Sequence, residues 1–342
     1  MRAVRFHAYG PASRLRVDQV PDPVSGPSDV LIRVRAAAVN HWDLDMRSGT
    51  SRLPLTLPHQ PGIELAGEIA AVGSDTSGFE VGTRVLPRFQ WVCGKCAWCA
   101  AGEENHCNRL RVLGATEPGS YAEYVAVPAV EVIRLPDSVS FDEAAALQAT
   151  FAPVWHALTG RIQLRKGMTI LVNAAGSGAG NAAIQIARHL GARVFASAGS
   201  DDKLERARQQ GVEATINYEK DDIAGRVRAM TSGVGVDVVF DCVGGAVFTA
   251  SLSALAWNGQ LVTVGAHAGE QVTLDLIPLF RNQWSIIGSA NNNRRDTDSV
   301  LQLLAEGAIR PVIDRRYGLE EAAAAHEALE QRRVFGKVLL IP

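Results

Sequence analysis

Thr169-Ile170-Leu171-Val172-Asn173-Ala174-Ala175-Gly176-Ser177-Gly178-Ala179-Gly180 is an apolar run that ends in a cluster of small residues, and Asn181 to Leu190 after it reads as helix. In a strand, small-residue turn and helix, backbone N–H groups at the helix N-terminus can hold a pyrophosphate that small side chains allow to come close. The commonest fingerprint has glycine where Ala175 and Ser177 stand. A tight turn alone would use the same residues, but the βαβ setting favours a dinucleotide site built from Ala175, Gly176, Ser177, Gly178, Ala179 and Gly180.

The same rhythm continues outward. Arg193-Val194-Phe195-Ala196 reads as a strand and Asp201 to Gln210 as a helix, with further strands at Ala214–Asn217, Val236–Asp241, Leu261–Gly265 and Ser285–Gly288, mostly divided by helical segments. Apolar runs without alternation, spaced by helices, require a parallel sheet covered on both faces. The fold class is therefore α/β, with a doubly wound parallel sheet. Upstream, Met1 to about Val127 is β-rich, with Val30–Val34 and Ala66–Val72 separated by Pro and Gly, and reads as an irregular, mostly antiparallel β domain. After Ala290 come a helix near Thr297–Ala305, a strand near Val312–Arg315, a helix from Glu320 and a strand at Lys337–Ile341. That tail is too short to stand alone, and composition assigns it to neither domain.

A chain of 342 residues suits two domains. The 34 basic and 36 acidic residues leave a net charge of -2, which gives no electrostatic basis for a nucleic-acid or polybasic membrane partner. Two charge-poor stretches, Gly167–Ala187 and Cys242–Gly269, contain too many Gly and polar residues for membrane spans, and Trp257-Asn258-Gly259-Gln260 interrupts the second. The opening Met1–His7 has no apolar core of signal-peptide length. The expectation is a cytoplasmic enzyme that acts on a small molecule.

Four of the five cysteines fall in one loop, Cys93-x2-Cys96-x2-Cys99-x7-Cys107. Such spacing lets four thiolates converge on a single ion in the closed tetrahedral shell of structural zinc, with no open position for substrate. Spectator thiols, disulfides and an iron-sulfur cluster are the alternatives; disulfides suit an oxidising compartment that nothing else here supports. Cys242 falls in an apolar strand and reads as a core residue.

The second strand of the doubly wound domain ends at Ala198, where an NAD site usually places a carboxylate. Here Gly199-Ser200-Asp201-Asp202-Lys203 follows, and Tyr218 comes after the third strand. Ser200, Lys203 and Tyr218 could donate to a 2′-phosphate, so NADP is favoured over NAD. Alternatively, Ser200 and Asp201 cap the next helix and Lys203 is solvated.

Taken together, the β-rich domain with its four-cysteine loop, the dinucleotide domain, Gly62–Gly67, Gly119–Tyr124, Asp237–Gly245 and Gly336-Lys337-Val338-Leu339-Leu340 resemble the zinc-type alcohol dehydrogenase and quinone oxidoreductase superfamily, the medium-chain dehydrogenases/reductases. The likeness covers essentially the whole chain. It implies a GroES-like catalytic domain of residues 1–148 and 292–342 carrying the zinc loop 93–107, and a Rossmann NADP-binding domain of residues 149–291. It also implies one structural zinc per subunit, an active site between the domains, and a homodimer or homotetramer paired through the edge of the Rossmann sheet.

Alcohol dehydrogenases of the family use a second, catalytic zinc. At the positions that match its ligands this chain has Asn40 for cysteine, Ile63 for histidine, and Leu147-Gln148-Ala149-Thr150 with no metal-binding side chain. Only Glu64 remains, and one carboxylate makes no tight zinc site. Without a Lewis acid, an acceptor that is already electron-poor needs the least help. The zinc-free quinone and enone reductases of the superfamily share a Val-Asn-x-x-Asp segment that looks like Val39-Asn40-His41-Trp42-Asp43. The expectation is thus NADPH-dependent reduction of a quinone, enone or enoyl thioester. Asn40 would position substrate or nicotinamide, and His41 is the candidate proton donor. Gly265, His267 and Ser289 would lie at carboxyl-terminal strand ends facing the nicotinamide. Asp43 would fix the turn after Asn40, while His59, His156 and His326 show no convergent partner. Two other readings stand beside this one: an alcohol dehydrogenase or aldehyde reductase with an ion at Glu64, and a non-catalytic NADPH-binding sensor or structural protein.

Overall fold

A computed structural model describes all 342 residues and divides them into two compact units, Met1–Ala149 with Asn293–Ala305 and Pro311–Pro342, and Thr150–Asn292 with Glu306–Arg310. The crossings lie one residue from those expected at 148/149 and 291/292. Glu306–Arg310 belongs to the second unit instead of the first, because the Gln185 amide bonds both the N–H and the carbonyl of Arg310 at 2.7 and 2.8 Å.

In the second unit six parallel strands lie side by side in the order Ala214–Asn217, Arg193–Ala198, Thr169–Val172, Val236–Asp241, Leu255–Thr263 and Ser285–Gly288. Numbered along the unit this is 3-2-1-4-5-6, the Rossmann order. Every residue of Thr169–Val172 is buried, as a central parallel strand covered by helices demands. The fifth strand begins at Leu255, earlier than the expected Leu261. Instead of ending the strand, Trp257-Asn258-Gly259 passes through an irregularity with Asn258 at φ 60, so that between the pairs Val236–Leu255 and Val238–Gln260 four residues on one strand stand against one on its neighbour. Ser285–Gly288 is an edge strand with Ile286 exposed, and Leu276, Ile277 and Phe280 of the helix before it are exposed too.

The first unit is built on a seven-stranded, largely antiparallel sheet whose centre is the eleven-residue strand Asp29–Val39. Along its alternating stretch Val30, Ile32 and Val34 face the core. Glu64–Val72 pairs along one side, with Ala38 opposite Glu64. Lys337–Ile341 pairs along the other, with Val39 opposite Val338. The tail thus returns to the first unit. Asn40 follows the end of this strand, and the two pairings bring Glu64 and Lys337 to the same end.

Candidate functional site

At that end the side chains of Asn40, Glu64 and Lys337 form one buried cluster. Lys337 Nζ donates to Asn40 Oδ1 at 2.6 Å and to Glu64 Oε2 at 2.9 Å. Asn40 Nδ2 donates to Glu64 Oε2 at 2.9 Å and, at a long 3.4 Å, to the Ala38 carbonyl. Glu64 Oε1 accepts the Ala149 N–H at 2.6 Å. The Glu64 and Lys337 side chains are 1% and 5% exposed, so the pair is a desolvated ion pair in which both Glu64 oxygens accept hydrogen bonds. The three segments aligned with a metal site in the sequence thus do meet around Glu64, and what they enclose there is an ammonium group. Asn40 uses its amide nitrogen within the chain, so its direct part in holding a ligand narrows to its oxygen. Sequence reading missed Lys337, although it stands in the Gly336-Lys337-Val338 segment.

Asn40 also caps the helix His41–Ser48, and Asp43 closes the capping box. Asp43 is fully buried and accepts from Asn40 N–H at 2.8 Å, Gly62 N–H at 3.2 Å and Tyr121 OH at 3.2 Å. It fixes the turn after Asn40 as expected, and it also ties that turn to two distant segments. Burial pushes its carboxyl up to about 7 against the pull of these bonds. Gly62 has φ +107, and a Cβ there would come within 2.4 Å of Ser120 Oγ and the Tyr121 ring, so only glycine lets these segments close on Asp43. His326 corrects an expectation: its Nε2 lies 3.3 Å from Tyr121 OH, and burial, aided by the Arg47 charge, lowers its pKa to about 3. His59 is likewise bound, by Nε2 at 2.9 Å from the Gly114 carbonyl. His41 is exposed at the first turn of its helix.

In the second unit the Gly-rich loop leaves its strand through Ala174 at φ 53 and turns into the helix Gly178–His189. Ser177, in place of a glycine, is the N-cap, its Oγ accepting the Gly180 N–H at 2.9 Å. A Cβ on Gly180 would sit 2.1 Å from the Ala174 carbonyl oxygen, which keeps this position glycine. The amides of Gly178 and Ala179, the first two of the helix, have no intrahelical acceptor and are the groups a pyrophosphate would take. The loop therefore fits a dinucleotide.

At the end of the second strand, Ser200 Oγ caps the next helix by accepting from Lys203 N–H at 3.4 Å. The Asp201 carboxylate is spent on Asn217 Nδ2 and Lys220 Nζ, both at 2.6 Å. A Cβ on Gly176 would meet Lys203 Cδ at 2.7 Å, and one on Gly199 would meet the Tyr218 ring at 3.0 Å. Lys203 and Tyr218 thus border the glycine loop and the strand end. Gly265 lies beside His267 and accepts from Thr263 Oγ1 at its carbonyl, and Ser289 N–H bonds the Thr263 carbonyl, so both stand at the carboxyl ends of their strands.

Beneath the loop lies a buried network absent from the sequence reading. Asn173 Nδ2 donates to Asp241 Oδ1 and Ser251 Oγ, both at 2.9 Å, and Asn173 Oδ1 accepts from Ser197 Oγ at 2.7 Å. Asp241 Oδ2 takes the Gly244 N–H at 2.9 Å. Cys242 lies one residue past its strand rather than within it, buried, with Sγ 3.7 Å from Ser177 Oγ.

The Sγ atoms of Cys93, Cys96, Cys99 and Cys107 all lie within 4.8 Å of one another. Cys96 and Cys99 are 3.5 Å apart and Cys93 and Cys99 4.0 Å, against about 3.8 Å between sulfurs on a tetrahedral zinc. Backbone N–H bonds, first that of Cys99, pull Cys96 down to about 6, while burial and neighbouring thiols push Cys99 up to about 12. The cluster fits structural zinc, and no disulfide uses these cysteines.

Residues 178–306 match the family described as zinc-binding dehydrogenase, and residues 26–137 match the alcohol dehydrogenase GroES-like domain. The chain is 34% identical to an NAD-dependent alcohol dehydrogenase of Saccharolobus solfataricus, with all of both chains covered. It is 32% identical to a quinone oxidoreductase of Pseudomonas aeruginosa over 100% of this chain and 99% of the other. A crystal structure of an NAD-dependent alcohol dehydrogenase superposes with TM-score 0.96 at 41% identity, covering both chains fully.

Proposed function

The chain belongs to the medium-chain dehydrogenase/reductase superfamily of oxidoreductases, and from that premise we propose that it is an NADPH-dependent reductase of quinones or activated C=C bonds that works without a catalytic zinc. The observation that carries this reading is the hydrogen-bonded shell of Glu64. Its two oxygens accept from Ala149 N–H, Asn40 Nδ2 and Lys337 Nζ, and the buried Ile63 beside it offers no ligand. A cation there would have to displace an ammonium and would find one carboxylate and one amide, a poor donor set for zinc.

When bound, NADPH would supply a hydride to the electron-poor carbon of the acceptor, and the enolate or hydroquinone monoanion so formed would take one proton from His41 or solvent. The Gly178 and Ala179 amides hold the pyrophosphate, and Lys203, Ser200 and Tyr218 receive the 2′-phosphate, since Asp201 is turned away to Asn217 and Lys220. Gly265 and Ser289 line the nicotinamide end. The four thiolates of Cys93, Cys96, Cys99 and Cys107 hold one structural zinc per subunit. The exposed edge strand Ser285–Gly288 with Leu276, Ile277 and Phe280 pairs with a second copy, giving a homodimer or a tetramer built from it.

Steady-state oxidation of NADPH and NADH with a panel of quinones and enones tests the reading. Turnover with NADPH at least tenfold above NADH is expected, and binding of NADPH with no turnover on any acceptor defeats it. A second reading, an NAD-dependent alcohol dehydrogenase, draws on the relatives that carry that name at 34% and 41% identity. It predicts alcohol oxidation with NAD+ and about two metal ions per subunit.

A further inference from the structure

Lys337 has three N–H bonds and two acceptors. Asn40 Oδ1 and Glu64 Oε2 take two of them, and the third has no partner in the chain although the side chain is only 5% exposed. A buried ammonium with an unmatched donor is costly unless something else supplies an oxygen. The neighbouring donors are spent: Asn40 Nδ2 on Glu64 and Ala38, Ala149 N–H on Glu64, and Tyr121 OH on Asp43. Glu64 pairs with the Lys337 ammonium in the resting cluster, and the bonds to Asn40 Oδ1 and Glu64 Oε2 fix its direction.

We propose that Lys337 is a catalytic residue that donates its third N–H to the carbonyl oxygen of the acceptor. The assignment rests on the reductase reading above. Negative charge grows on that oxygen when the conjugated acceptor is reduced, and a fixed cationic donor in a desolvated site stabilises it more in the transition state than in the ground state. Asn40 is then a positioning residue that aims the ammonium through Oδ1. Glu64 does the same through Oε2.

The test uses Lys337→Met, Lys337→Arg and the double variant Glu64→Gln/Lys337→Met, which removes both buried charges together and so guards against a folding defect from an unpaired Glu64. With NADP+ bound, so that no turnover occurs, 4-dimethylaminocinnamaldehyde is titrated into each full-length protein. Its absorption band moves to the red when its carbonyl oxygen meets a charged donor. The wild type is expected to give the red shift, Lys337→Arg a reduced one, and the double variant none. kcat/KM for a small enone should fall about 100-fold in the double variant, the scale for losing one oxyanion donor, while NADPH affinity stays within about twofold. A double variant that keeps the red shift, or turns over the enone within about twofold of wild type, overturns the assignment and makes the cluster purely structural. So does a loss confined to NADPH affinity. A wild type that turns over no enone or quinone defeats the reductase reading and the assignment with it, whereas wild-type turnover preserved in the double variant defeats the assignment alone.

Discussion

Asp43 and His326 meet at one Tyr121 hydroxyl and have opposite linkage to pH. Asp43, raised from 3.8 to about 7, keeps in the folded chain a proton that the unfolded chain has already lost, so its contribution to stability is present at low pH and lost as pH rises through about 7. His326, lowered from 6.5 to about 3, stays neutral where the unfolded chain is protonated, so its contribution is lost as pH falls from 6.5 toward 3. The two slopes oppose each other between about pH 4 and 6.5. His326→Asn removes one of them, and its melting temperature relative to wild type should fall as pH rises from about 4.5 to about 6.5; a pH-independent difference would refute the linkage. This cluster was half legible. Asp43 follows Asn40 by three residues, a local spacing that a capping box uses, and could be placed from sequence. Tyr121 and His326 are 78 and 283 residues from Asp43, and no local pattern joins them.

Two elements illustrate different ways in which a segment is held. The helix Ala97–Ala100 in the cysteine loop has no buried residue, so packing does not fix that helix, and a metal held by the four thiolates would. Cys96→Ser, or a strong chelator, should release about one zinc per subunit and expose the segment 93–107 to protease; an intact loop without zinc would contradict this. The loop was legible because its four ligands span 15 residues. The carboxyl ends of three Rossmann strands depend instead on Asn173, which satisfies Asp241, Ser251 and Ser197 at separations of 68, 78 and 24 residues. Those separations hid the network from a sequence reading that found the strands themselves by their unbroken apolar runs. Asn173→Ala leaves several buried polar groups unmatched and should cost about 2 to 4 kcal/mol in denaturant unfolding, with weaker NADPH binding. The strand at Leu255 shows the converse: Trp257-Asn258-Gly259 looks like a turn, yet pairing with Val236–Asp241 carries the strand through it.

For the molecule as a whole, two units were readable from the change of rhythm near Lys166, and the return of the tail was implied only by the resemblance, because composition does not tell where Lys337–Ile341 pairs. That pairing sets an ammonium against Glu64, the arrangement on which the proposed chemistry rests. If two copies join through Ser285–Gly288, Ile286→Lys together with Phe280→Glu should shift the protein toward monomers in analytical ultracentrifugation, while an unchanged mass would place the interface elsewhere. The most direct check on the central claim is the zinc content of the purified protein while it is reducing an enone. One zinc per subunit, bound by the four cysteines and accompanying full activity, is the predicted result; close to two, with activity that disappears as the second is withdrawn, would contradict it.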